Sequence, residues 1–485
     1  MNQDHIIQKI FVEITVSSKE KAERIREDIS NFLSIDVFPE IEKYIEALEH
    51  QLSGQTLQIP KLELNLDIKN SALDTELRDT IVQQLKEELS GMAKSVLSQE
   101  PEKAEPAEGY LVGNQEKMIR TFIYFLEHGS MPWWNPDSKG LNFLESAVFK
   151  NLISTDIFPK SILPVLSRQQ VQDRMIHQLT DTQLAELCSV ILKNDTSKFN
   201  LEAEIIRSIS RLNFPDRMMV WHLLLDVISE YAVLSDRNLQ ESLVLQLEKA
   251  ISTGSPQQKE CLHKNLKTII KLFPLIKEKE IEKKISESLT TNQPASQEHT
   301  EPSLETVQQE DSTVQEEAIP DDGQYMLNAG LILIHPFIKT FFEHCDLLDP
   351  KTQQLLDPEL GAHLLHYIAT GKTNAPECDM VFEKFLCNIP VHQPISRHVK
   401  LSRKHKIQAK NVIESVQHNW NPMKNSSVAL LQNEFFQRPG KLTATDYDYT
   451  LTVERKTQDI LLDKLAWGIG LVKLPWKEKF MYVNW

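Results

Sequence analysis

Met175–Ile191 reads MIHQLTDTQLAELCSVI, and its apolar residues Met175, Leu179, Leu184, Leu187 and Ile191 recur at helical spacing. Leu223, Val227, Tyr231 and Leu234 repeat the same period further on. Prolines 132, 136, 159, 164, 215, 256 and 274 punctuate this region. A proline inside a helix loses a hydrogen bond and clashes with the preceding turn. One continuous rod is therefore excluded. Residues 109–290 are expected to form a multi-helix middle region, solenoid-like or an irregular bundle. The chain as a whole is expected to be mainly α.

Toward the N-terminus the period changes. Ile6–Val16 alternates Ile10, Val12, Ile14 and Val16 on one face, which predicts a strand. Ser17 and Glu20 form a capping box that opens a helix with Ile25, Ile29, Phe32 and Leu33 on its apolar side. A second helix starts near Asp36, Leu57–Ile68 alternates again as a strand, and a third helix runs through Leu77, Ile81, Leu85 and Leu89. Residues 1–98 thus read as a small β-α-α-β-α module. The charged stretch 99–108, with two prolines, reads as a linker.

A longer break lies at 291–323. No Lys or Arg occurs between Lys284 and Lys339, while Glu298, Glu301, Glu305, Glu310, Asp311, Glu316, Glu317, Asp321 and Asp322 accumulate. Such a segment buries too little apolar area to offset the entropy of ordering, which predicts an acidic disordered tether. A charged strip for a basic partner is the other reading. Beyond it, 324–485 is expected to be an aromatic-rich, mainly helical C-terminal domain. The helix ends Phe122–Gly129 and Leu364–Gly371 both close on glycine, a shared capping signal and not a repeat.

A formal net charge of −16 over 485 residues argues against nucleic acid or an anionic membrane as the main partner. The best membrane-span candidate, Met218–Leu234, is interrupted by His222, Asp226 and Glu230. The start shows no basic region followed by an apolar run, so no signal peptide is expected. Five widely spaced cysteines fit a reduced, cytosolic chain.

Catalytic signatures are absent from the sequence. Neither GxGxxG nor GxxxxGK[ST] occurs, nor HExxH, GxSxG or CxxC. His363 and His366, with His335, His344, Cys345, Cys378 and Cys387, make the one metal-like cluster. Amphipathic helix histidines and buried cysteines account for it as well, and no cofactor or metal is expected. The aromatic turn Met131-Pro-Trp133-Trp134-Asn-Pro136 fits a proline-rich or glycan ligand, but more ordinarily pins a helix end to its neighbour.

The C-terminus concentrates large aromatics: Trp420, Trp467, Trp476 and Trp485, with Phe435, Phe436, Tyr447, Tyr449, Phe480 and Tyr482. Tryptophan buries the most area and still needs a partner for its indole N–H. Trp467, Trp476 and Trp485 either close a core or form a docking surface, packing being the default.

Several ordered blocks resemble one family, the tape measure proteins of contractile injection systems, the phage-tail-like syringes of bacteria. His5-Ile-Ile-Gln-Lys9 and Ile59–Leu66 resemble its opening module, and Phe125–Trp134 its FLxxGxLPWW element. Asn328–Phe337 (NAGLILIHPF), Leu364–Gly371 and Leu386–Pro390 are similar to its NAGLVLLHPF, LLxYLxTG and LCGxP blocks. Val453–Arg455, Asp459–Leu462, Lys473–Trp476 and Val483–Trp485 resemble its terminus. Asp67, Asn388, Ala466 and Asn484 depart from the pattern and put local turn geometry in question.

The resemblance implies a non-enzymatic structural protein that sets or templates tube and sheath length. Its implied partners are inner tube, baseplate or spike proteins, and its implied place is cytoplasmic during assembly and then within or attached to the particle. A helical assembly chaperone or adaptor is the competing class. The blocks make Trp133, Trp134, Asn328, Gly330, His335, Pro336, Phe337, Trp467, Pro475, Trp476 and Trp485 the candidate interaction or packing residues.

Overall fold

Helix-period segments fold as helices throughout a computed structural model that describes residues 6–16, 18–49, 55–66, 73–98, 110–135, 143–192, 200–233, 239–273, 319–320 and 322–485. The linker expected at 99–108 and nearly all of the acidic tether lie outside the described residues. Contacts divide the chain into two units, Met1–Arg120 and Thr121–Trp485.

In the first unit α1 (Lys19–Phe32) passes through one π-helical turn, Leu33–Val37, into α2 (Phe38–Glu49). Helix α1 is capped by Ser18, whose hydroxyl accepts from Lys21 N at 3.3 Å, one residue later than the capping box predicts. Helix α3 (Thr75–Ser98) adds Val82 to a core with Phe32, Val37 and Ile41. The two alternating segments do not pair with each other, which corrects the expected strands. Ile6–Val16 forms no strand and joins no ladder, and Phe11 is 82% exposed. Among the described residues of the second segment only β1 (Thr56–Gln58) is a strand, antiparallel to β2 (Tyr110–Val112). Alternation fixes which face would be buried, but a strand also needs a partner for its N–H and C=O groups.

The second unit begins within α4 (Asn114–His128). It continues through α5 (Ser146–Ile153), α6 (Ile157–Leu166), α7 (Gln169–Gln178), α8 (Asp181–Ile191) and α9 (Ala203–Ser210). Then come α10 (Phe214–Val233), α11 (Leu239–Thr253) and α12 (Pro256–Leu272). Helix α10 is central, packing on α6 to α9, α11 and α12. Its polar interruptions are paired: His222 meets Gln172 Oε1 at 2.9 Å, and Asp226 accepts from Gln172 Nε2 at 2.7 Å. Buried Trp221 donates to Asp181 Oδ1 at 2.7 Å, a carboxylate also held by Arg217 and Ser210. Pro215 and Pro256 sit in first turns, where the missing N–H costs little, whereas Pro164 lies inside α6 without ending it. No helix among the described residues is long and apolar enough to cross a membrane.

The last part of this unit carries a five-stranded sheet in addition to helices. The strands are β3 (Gln324–Met326), β4 (Gly440–Ala444), β5 (Asp448–Val453), β6 (Leu471–Val472) and β7 (Phe480–Asn484), in the order β3-β4-β5-β7-β6. Only β5 and β7 run parallel, and the crossover between them is the 3₁₀ segment Thr457–Lys464 followed by β6. The inner sheet face, with Leu442, Leu451, Met481 and Val483, packs into one core with Ala329–Ile334 and the helices α13 (His335–His344), α14 (Pro358–Thr370), α15 (Val381–Leu386) and α16 (Arg403–Asn419). The sequence reading anticipated helices here and not this sheet. The molecule is nevertheless mainly α.

Candidate functional site

Ala329–Ile334 is apolar and fully buried, so its backbone must approach others closely. A Cβ on Gly330 would overlap Phe435 O and lie 3.1 Å from the Trp485 ring. No other residue fits there. Before it, the buried Asn328 amide donates to Glu383 Oε1 at 2.7 Å and to Asp379 O at 3.0 Å. The same Glu383 oxygen takes His366 Nδ1 at 2.9 Å, so Asn328, His366 and Glu383 form a buried polar triad across three elements. After it, His335 Nε2 donates to Gly468 O at 3.0 Å, and burial lowers the ring's pKa. Pro336 occupies the first turn of α13, and Phe337 meets Trp467 edge-on at 5.4 Å.

Each tryptophan of the terminus finds its indole acceptor inside its own unit. Trp420 donates to Leu461 O at 2.9 Å, Trp467 to Leu333 O at 3.1 Å and Trp476 to Leu386 O at 2.7 Å. Trp485 donates to Asp459 Oδ2 at 3.1 Å, and its carbonyl accepts from Arg455 at 2.9 Å. Asp459 also pairs at 2.9 Å with Arg438, which is fully buried and held by Glu434 O and Glu454 O. The chain end is thus tied to an internal ion pair. Pro475 is exposed beside buried Trp476. Asn388, which departs from the glycine of the block, has φ of 58° and donates to Trp476 O at 2.6 Å. Asparagine is among the few side chains that adopt this conformation readily, so the turn survives the change.

A second constellation was not legible as a site in the sequence. Arg174 on α7, Glu377 in the 3₁₀ turn Glu377–Met380 and Lys384 on α15 are fully buried together. Arg174 Nε and Lys384 Nζ reach the same Glu377 oxygen at 3.1 and 2.9 Å. The remaining cationic donors go to carbonyls: Arg174 to Leu126 O and His392 O, Lys384 to Val391 O at 2.7 Å and Gln393 O at 2.6 Å. Gln178 brackets the cluster, donating to Ile395 O at 2.7 Å and accepting from Glu377 N at 3.1 Å. Burial lowers the Lys384 pKa against the pull of Glu377. Gly129, with φ of 76°, lies on top: a Cβ there would press into Glu377 Oε1 and sit 2.8 Å from Val391 O. The helix-ending glycine of the Phe125–Trp134 block therefore makes room for an ion cluster contributed by a segment some 250 residues later.

Trp133 and Trp134 follow this glycine. They meet each other edge-on at 5.9 Å, and Trp134 meets Tyr124 at 5.4 Å. Both are half-buried, and Pro136 lies outside the described residues. The metal-like histidines serve other partners: His363 Nε2 donates to Ser396 O at 2.8 Å, and burial pushes its pKa down to about 4. Among the described residues no group of three or more His, Cys, Asp or Glu is placed to hold a metal ion. The arrangement of both constellations closes cores and joins segments.

No curated protein and no solved structure matches the chain. The family model for contractile injection system tape measure proteins matches residues 4–485. That span includes both glycine-gated closures and every tryptophan. The chain belongs to the contractile injection system tape measure protein family.

Proposed function

We propose that this chain sets the length of a phage-tail-like injection particle and that it enters assembly folded, as a jointed scaffold. A structural role follows from the family. The observation that carries the folded form is the pair of closures just described, in which Gly330 and Gly129 admit tertiary contacts that an extended chain could not make. Helix lengths point the same way. The longest described helix, α3, has 24 residues and spans about 36 Å. A fully helical chain would span on the order of 700 Å. A ruler function then requires either that the fold opens during assembly or that folded segments are spaced along the tube.

Assembly in the cytoplasm and retention within or on the particle, against inner tube, baseplate or spike proteins, complete this reading. Quantitative mass spectrometry of purified particles tests it. The chain is expected at a low, fixed copy number relative to the tube subunit. Its absence from intact particles would overturn the proposal in favour of an assembly chaperone.

A further inference from the structure

Cross-strand partners share a sheet face, which identifies what the C-terminal sheet shows to solvent. Tyr325 pairs with Lys441, and Lys441 with Thr452. One row over, Thr450 pairs with Tyr482, and Tyr482 with Leu471. These residues lie opposite the Leu442, Leu451 and Met481 face that enters the core. An open antiparallel face in water ordinarily carries polar side chains. The β4–β5 half obeys this with its threonines, but the β7–β6 half does not. Leu471, Phe480 and Tyr482 are 53%, 45% and 48% exposed, side by side. Lys473 Nζ lies 4.9 Å over the Phe480 ring, and Lys441 Nζ 5.2 Å over Tyr325. Apolar side chains grouped in this way mark interaction sites on folded proteins.

We infer that this outer sheet face, centred on Leu471, Phe480 and Tyr482 and flanked by Lys441 and Lys473, docks another protein of the particle through a surface with an apolar centre and a carboxylate rim. The charge pattern selects this occupant. On a chain of net charge −16 the strand positions of this face set Lys441 against one carboxylate, Asp448, and Lys473, just after β6, adds a second cation over Phe480 with its Nζ also donating to Glu478 O. A second copy stacked face to face would set these lysines against one another, which disfavours self-association. The tryptophans of the same strands and loops are engaged internally, so the outward residues between them are the ones free to touch a partner.

The inference rests on the chain's retention in the particle, and one experiment separates the two. Full-length chains carrying Lys441→Glu and Lys473→Glu, or Lys441→Arg and Lys473→Arg, are expressed in cells assembling particles, beside a chain with a photo-reactive phenylalanine analogue at Tyr482. The glutamate variant is expected to melt as wild type yet enter purified particles at least ~10-fold less, while the arginine variant enters normally. The photo-probe is expected to crosslink, within particles, to an Asp- or Glu-bearing segment of a different component. Equal incorporation of the glutamate variant, no crosslink, or a crosslink to a second copy of this chain would overturn the docking alone. Wild-type chain missing from the particles would overturn retention, and the docking with it.

Discussion

Gly330 shows at the scale of one residue why the NAGLILIHPF block is so constrained. Its Cα hydrogens face Phe435 O and the Trp485 ring with no room for a methyl group. Gly330→Ala is expected to destabilise the chain by about 3 kcal/mol or more, read as a lowered melting temperature or loss of soluble protein. Trp485 occupies the other side of that contact. Trp485→Ala removes packing on Gly330 and an Asp459 hydrogen bond, for an expected loss of about 2 kcal/mol by denaturant titration. Unchanged stability with lost assembly would instead assign Trp485 to a partner.

His363 gives a pH signature. Burial depresses its pKa from 6.5 to about 4, so the unfolded chain binds the proton more readily than the folded one. Stability from this site is full above about pH 6.5 and is lost as pH falls toward 4, by at most about 3 kcal/mol. His363→Gln is expected to flatten that part of the stability–pH curve; an unchanged slope would contradict it.

At the scale of elements, helix α7 meets the loop at 390–397 through ions and amides. Removing one member of a buried pair leaves the other charges uncompensated. Glu377→Gln strands two buried cations and is expected to cost about 3–5 kcal/mol in denaturant titrations. Hydrogen exchange should rise in Gln169–Gln178 and 390–397 before it rises in the sheet; a uniform rise would contradict a local joint. This joint was invisible in the sequence because Arg174 sits on an ordinary helix and Glu377 lies 203 residues away. What the sequence did show was Gly129, whose left-handed capping role was readable from Phe122–Gly129 although its second role, the close approach to Glu377, was not. Helices were legible wherever their apolar period was long. Ile6–Val16 had the right alternation for a strand but no ladder partner, and the C-terminal sheet is built from strands of two to six residues whose pairing is set by tertiary contacts.

For the whole molecule, the indoles of Trp420, Trp467, Trp476 and Trp485 are hydrogen-bonded within the fold, and the outward residues Leu471, Phe480 and Tyr482 are the surface proposed for docking. Among the described residues the chain is a set of helices with a two-stranded and a five-stranded sheet, and its longest helix has 24 residues. Under the proposed ruler function, length control depends on how much chain separates the described parts or on how those parts open. The measurement that tests this most directly is electron microscopy of particles assembled with a chain whose residues 291–318, outside both described cores, are duplicated, and with a second chain in which 150–290 is duplicated. A shifted, still narrow distribution of particle lengths is expected in at least one of these, with the altered chain retained. Wild-type lengths from both chains, each incorporated normally, would contradict it.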